Sequence, residues 1–92
     1  MISLPEITSL NAIYPNPFNP VTNIQFSLCQ TENVIITVYN VKGQKVAVIL
    51  NEEMTAGNHS IAWNAQNKPS GIYFLNFNTD SANRIQKIVL LK

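Results

Sequence analysis

A chain of 92 residues can build one small core and no more, because a domain of that size buries only about 60 to 65% of the surface its unfolded chain exposes. It is 46% hydrophobic but only 12% charged, about half the charged share of an ordinary soluble domain, with asparagine supplying much of the polarity. The net charge is +1, and Lys42, Lys45, Lys68, Arg84, Lys87 and Lys92 are scattered along the sequence, so no nucleic-acid partner is expected.

No apolar run approaches the ~18 residues that a spanning helix requires. The first residues lack the basic and apolar regions of a signal peptide, so an inner-membrane export signal is expected outside this sequence. Cys29 is the single cysteine and cannot form an internal disulfide.

Residues 1–9, with Pro5, Glu6, Thr8 and Ser9 among isolated apolar points, read as a linker, and the domain is expected over residues 10–92. Next comes Tyr14-Pro15-Asn16-Pro17-Phe18-Asn19-Pro20. Each proline fixes its own φ and pushes the residue before it toward extended geometry, which predicts a stiff, non-helical ribbon. That ribbon is expected to plant Tyr14 and Phe18 in the core, with Asn16 and Asn19 bonding local backbone as turn residues.

Beyond the ribbon the chain reads as strand. Ile24, Phe26 and Leu28 alternate with Asn23, Gln25 and Ser27, a period of two that gives one buried and one wet face. Gln30 to Asn33 reads as a polar turn, after which Val34, Ile36 and Val38 resume the inward face while Ile35, Thr37 and Tyr39 point away. Asn40-Val41-Lys42-Gly43 signals a hairpin, with asparagine opening the turn and glycine taking a positive φ. A strand follows from Gln44 to about Leu50, then a connection over Asn51–Asn58 that contains Glu52 and Glu53. His59, Ile61 and Trp63 alternate with Ser60, Ala62 and Asn64, which puts Trp63 inside. The cluster Asn67–Gly71 precedes a strand over Ile72–Phe77, and a turn over Asn78–Asn83 leads to a last strand, Arg84–Leu91.

Seven strand segments at roughly ten-residue spacing, with no helical periodicity, argue for an all-β fold of two packed antiparallel sheets. Phe26, Ile36, Val38, Trp63, Tyr73 and Leu75 supply the inward bulk of that sandwich.

Catalysis needs a nucleophile with a base, paired carboxylates or a metal cluster, and this chain offers one histidine, one cysteine and five acids. No catalytic, metal or cofactor site is expected. His59 reads as packed on the sheet or bonded to a backbone group, and Glu52-Glu53 as a solvated loop rather than calcium ligands. Tyr39, Tyr73, Phe74 and Phe77 would stack on sugar rings only if they formed an exposed platform. Asn58-His59-Ser60 matches a glycosylation acceptor, a pattern too short to carry weight.

Several blocks together are more specific: the proline ribbon, Thr22–Leu28, Val38–Val46, Ala56–His59, Trp63-Asn64-Ala65, Ser70–Phe74 and Lys87–Lys92. Over roughly Leu10 to Lys92 they closely resemble the C-terminal sorting domain of the type nine (Por) secretion system of Gram-negative bacteria. That family is also similar to the immunoglobulin-like module of the flagellar hook-capping protein. The resemblance implies an immunoglobulin-like antiparallel β-sandwich of about seven strands, non-catalytic, at the end of a larger exported protein. Its implied partners are an N-terminal cargo domain, the outer-membrane secretion machinery and cell-surface attachment components. Its implied route is the periplasm and then the cell surface or the extracellular medium, the domain often being removed when cargo is anchored to surface lipopolysaccharide.

The family's motif positions fall on Tyr14, Pro15, Asn16, Pro17, Phe18, Gly43, Gly71, Tyr73 and Lys87, and Lys92 closes the terminal block. The glycines and aromatic rings among them serve either the fold alone or recognition, whereas packing is not expected to require Lys87 or Lys92. Cys29 departs from the pattern, since the family often has proline after the leucine. Two readings from other classes stand beside this one: a structural or adhesive module that self-associates through open sheet edges, and a carbohydrate-binding accessory module.

Overall fold

The computed structural model describes residues 4–92, so the first three residues of the expected linker lie outside the described residues. Seven strands and no helix make up the described chain: β1 (Ser9–Tyr14), β2 (Val21–Leu28), β3 (Glu32–Asn40), β4 (Lys45–Met54), β5 (Gly57–Asn64), β6 (Gly71–Thr79) and β7 (Asn83–Leu90). They form a three-stranded sheet, β1-β2-β5, and a four-stranded sheet, β4-β3-β6-β7, with every pair of neighbouring strands antiparallel. The chain crosses between sheets at β2–β3, β4–β5 and β5–β6, the pattern of an immunoglobulin-like sandwich.

Alternation along each strand builds the core. Ile24, Phe26 and Leu28 from β2 face Val34, Ile36 and Val38 from β3 and Tyr73, Leu75 and Phe77 from β6, all buried, with Trp63 closing the layer from β5. The rings group at two levels. Phe18, Trp63 and Tyr73 lie at one end, with centroids 5.8 and 6.4 Å apart. Phe26 and Phe77 lie deeper along the strands, 5.2 Å apart.

Several boundaries differ from the sequence reading, three of them with consequences for the fold. β4 runs on to Met54, so Glu52 and Glu53 pair with Val34 and Asn33 instead of forming a loop, because an edge strand leaves its charged side chains in water. The β6–β7 turn is shorter than expected, since Asn78 already pairs with Asn83. Glu32, expected in a turn, begins β3 and is 1% exposed.

Candidate functional site

The proline ribbon does not merely lead into the sandwich; it lies along the free edge of β7. Phe18 forms a parallel bridge with Leu90: its N–H donates to the Val89 carbonyl at 2.9 Å, and its carbonyl accepts from the Leu91 N–H at 2.9 Å. Asn16 makes two more links to the same strand. Its Oδ1 accepts from the Val89 N–H at 3.0 Å, and its Nδ2 donates to the Lys87 carbonyl at 3.1 Å. Thr22 Oγ1 donates to the Pro15 carbonyl at 2.7 Å, and the Ala65 N–H to the Pro20 carbonyl at 2.9 Å. The peptide bonds preceding Pro15, Pro17 and Pro20 are cis.

Two expectations for the ribbon are corrected. Asn16 is not a local turn residue, since both its partners lie more than seventy residues away. Tyr14 is not in the core: it is 73% exposed, while Phe18 is buried as expected. The register explains the difference. Ile13 pairs with the buried Ile24, and neighbours along a strand face opposite ways, so Tyr14 beside Asn23 turns to solvent.

The remaining motif residues converge on the same end of the sandwich. Tyr73 hydroxyl donates to the Pro69 carbonyl at 2.6 Å, a tyrosine corner that pins the β5–β6 connection to the core, and burial raises its pKa. Gly43 (φ 80°) closes the β3–β4 hairpin, whose Asn40 Oδ1 accepts from the N–H groups of Lys42 and Gln44. Gly71 (φ 154°) opens β6. A Cβ at either glycine would meet open space, so backbone conformation and not crowding is what calls for glycine there. Lys87 is exposed on β7, and Lys92 reaches back to the β5–β6 connection, its Nζ donating to the Gln66 carbonyl and its N–H to Ser70 Oγ.

The opposite end receives the chain. Thr8 Oγ1 donates to the buried carboxylate of Glu32, which also accepts from the Ser81 N–H at 3.0 Å and the Ser81 hydroxyl at 2.6 Å. Burial pushes the Glu32 pKa up, but hydrogen bonds from Ser81, Thr8 and Thr79 outweigh it and hold the group below the usual carboxylate range. Cys29 N–H donates to Thr8 Oγ1 at 3.1 Å. His59 lies nearby, its Nε2 2.8 Å from the Thr55 carbonyl and its ring stacked on Phe26, which is the packed and backbone-bonded role expected of it.

Charge divides between these two ends. Glu6, Glu32, Glu52, Glu53 and Asp80, all five acids of the chain, lie at the entry end; Lys42, Lys45, Lys68, Lys87 and Lys92, five of its six bases, lie toward the other. Lysines scattered in sequence are thus gathered in space, because β3, β5 and β7 finish where β4 and β6 begin. Eight residues of strand span about 26 Å, several times the ~8 Å screening length at physiological salt, so the two ends act as separate fields.

Of the four aromatics considered as a sugar platform, Tyr73 and Phe77 are buried. Tyr39 and Phe74 pair across β3 and β6 on the outer face, half-buried, and line a groove of about 520 Å³ with Val41, Asn76 and Ile85. Among the described residues no three His, Cys, Asp or Glu side chains gather to hold a metal.

The family model described as "Secretion system C-terminal sorting domain" matches residues 12–91. No curated protein matches.

Proposed function

Since the chain belongs to the family of secretion system C-terminal sorting domains, we propose that it is the non-catalytic module by which the type nine machinery directs an attached cargo across the outer membrane. The cargo joins upstream of Thr8, with residues 1–9 as the tether and residues 10–92 as the module. One observation carries the mechanism: the motif residues collect at the end of the sandwich farthest from that tether, where a bulky cargo leaves them accessible.

Burial sorts those residues by role. Phe18 and Tyr73 fill the core, and Gly43 and Gly71 set backbone geometry, so these four shape the module. Tyr14, Asn16, Pro17 and Lys87 are exposed, as is Lys92, and offer the surface that the machinery reads, with Pro15 half-covered between them. Tyr14 supports this most directly, because a tyrosine 73% exposed contributes little to packing. Delivery to the cell surface or the medium follows, by way of the periplasm.

Fusing the whole chain behind an exported periplasmic reporter, in a host that has the secretion system, should bring the reporter to the surface. Lys87→Glu with Lys92→Glu should impair release without unfolding the module, since exposed charges contribute little stability. Deleting residues 87–92 is a poor test, because it removes the buried Ile88 and Leu90 and the partners of Phe18. A wild-type fusion that stays periplasmic overturns the proposal.

A further inference from the structure

Across the outer face of the four-stranded sheet, one register row reads Lys45 (β4), Tyr39 (β3), Phe74 (β6), Lys87 (β7). Two half-buried aromatic rings therefore lie between two exposed lysines. The groove over this row is extended by side chains that stand mostly in solvent: Val41 is 67% exposed and Ile85 69%. The acids of this face, Glu53 and Asp80, are at its other end, where Asn33 pairs with the first and donates its N–H to the second.

We propose that this groove docks an extended acidic segment of a partner protein. The inference rests on the sorting reading, in that the partner is taken to be part of the export machinery. Charge complementarity selects the partner's sign, and spacing selects its form. Three strand separations put the two lysine backbones about 14 Å apart, which is about four residues of extended chain. A segment crossing the strands with two carboxylates four residues apart sets one against Lys45 and the other against Lys87. Its middle side chain, aromatic or aliphatic, then enters the groove between Tyr39, Phe74 and Ile85. A compact anion such as phosphate would leave that apolar floor unused.

The test titrates the isotope-labelled 92-residue chain with the peptide Gly-Glu-Ser-Phe-Ser-Glu-Gly and follows backbone amide shifts. The shifts are expected to concentrate at Tyr39–Gly43, Phe74–Asn76 and Ile85. Replacing both glutamates of the peptide by glutamine, or making Lys45→Glu with Lys87→Glu in the chain, should weaken binding at least about tenfold. Ile85→Ser, at an exposed position, should weaken it while leaving the folded spectrum intact.

The proposal is overturned if the shifts gather elsewhere or if the glutamine peptide binds as well. It is equally overturned if a sulfated oligosaccharide occupies the groove and the peptide does not, or if sedimentation shows a second copy of the chain there. Export of the Lys45→Glu, Lys87→Glu reporter fusion at wild-type level would remove the groove, and Lys87 with it, from sorting while leaving the module's sorting role standing. Failure of the wild-type fusion to export would instead strike the sorting reading, with the titration still deciding the groove.

Discussion

Asn16 and Val89 are joined across 73 residues: the Asn16 carboxamide accepts the Val89 N–H at 3.0 Å while donating to the Lys87 carbonyl two residues earlier. A single side chain thereby does for the edge of β7 what a neighbouring strand would do. Asn16→Ala should cost about 1 to 2 kcal/mol, two exposed hydrogen bonds at ordinary net value. The specific readout is amide exchange: the Val89 N–H should lose protection while Ile36 and Leu75 keep theirs. Unchanged exchange at Val89 would mean that the bond does not persist in solution.

Tyr73→Phe keeps the ring and removes only the hydroxyl that holds the Pro69 carbonyl, so it should cost about 1 kcal/mol. In a domain this size that lowers the melting temperature by roughly 4 to 8 °C. A variant as stable as the parent would show the corner to be ornamental.

Trp63 bridges Phe18 from the ribbon and Tyr73 from the opposite sheet. Trp63→Ala should cost about 3 to 5 kcal/mol, a large part of the ~5 to 15 kcal/mol available to a domain. Circular dichroism at 25 °C would reveal the loss, and a melting curve overlapping that of the parent would contradict the packing described.

Glu32 makes stability depend on pH with a defined sign. Its folded pKa lies below the unfolded value near 4.3, so its contribution is complete above that pH and is lost as pH falls through the folded pKa. Glu32→Gln should therefore be clearly less stable than the parent at pH 7, with the gap narrowing steadily below about pH 4. A gap that stays constant with pH would place the benefit in shape and not in charge.

Gly43 has φ 80° with open space around it, so Gly43→Ala meets a backbone penalty and no clash. The expected cost is about 1 to 2 kcal/mol, and Gly43→Asn should recover part of it, because asparagine tolerates the left-handed region.

The layers of this fold were legible because period-two alternation is a local signal: Ile24, Phe26 and Leu28, or Val34, Ile36 and Val38, declare their buried face within five residues. What stayed hidden depends on which ends meet. Nothing near Asn16 indicates that its partners are Lys87 and Val89, and nothing near Glu32 indicates Thr8 and Ser81. The gathering of lysines is of the same kind, a product of strand direction and not of sequence proximity. Tyr14 departs from the core position its sequence suggests for a subtler reason. Its hydrophobic ring suggested burial, but register against β2 gave the inward position to Ile13.

The clasp between the ribbon and β7 also has a temporal meaning. A chain is made from its N-terminus, so the ribbon exists long before residues 87–91, which it must hold, have been added. Until then Phe18 lacks the Val89 and Leu91 backbone that seats it, and Asn16 lacks both of its partners. A variant without residues 87–91 would keep the ribbon's sequence and lose the partners that hold it against β7. Through this one contact the first motif of the domain is seated only once the segment 87–91 is in place.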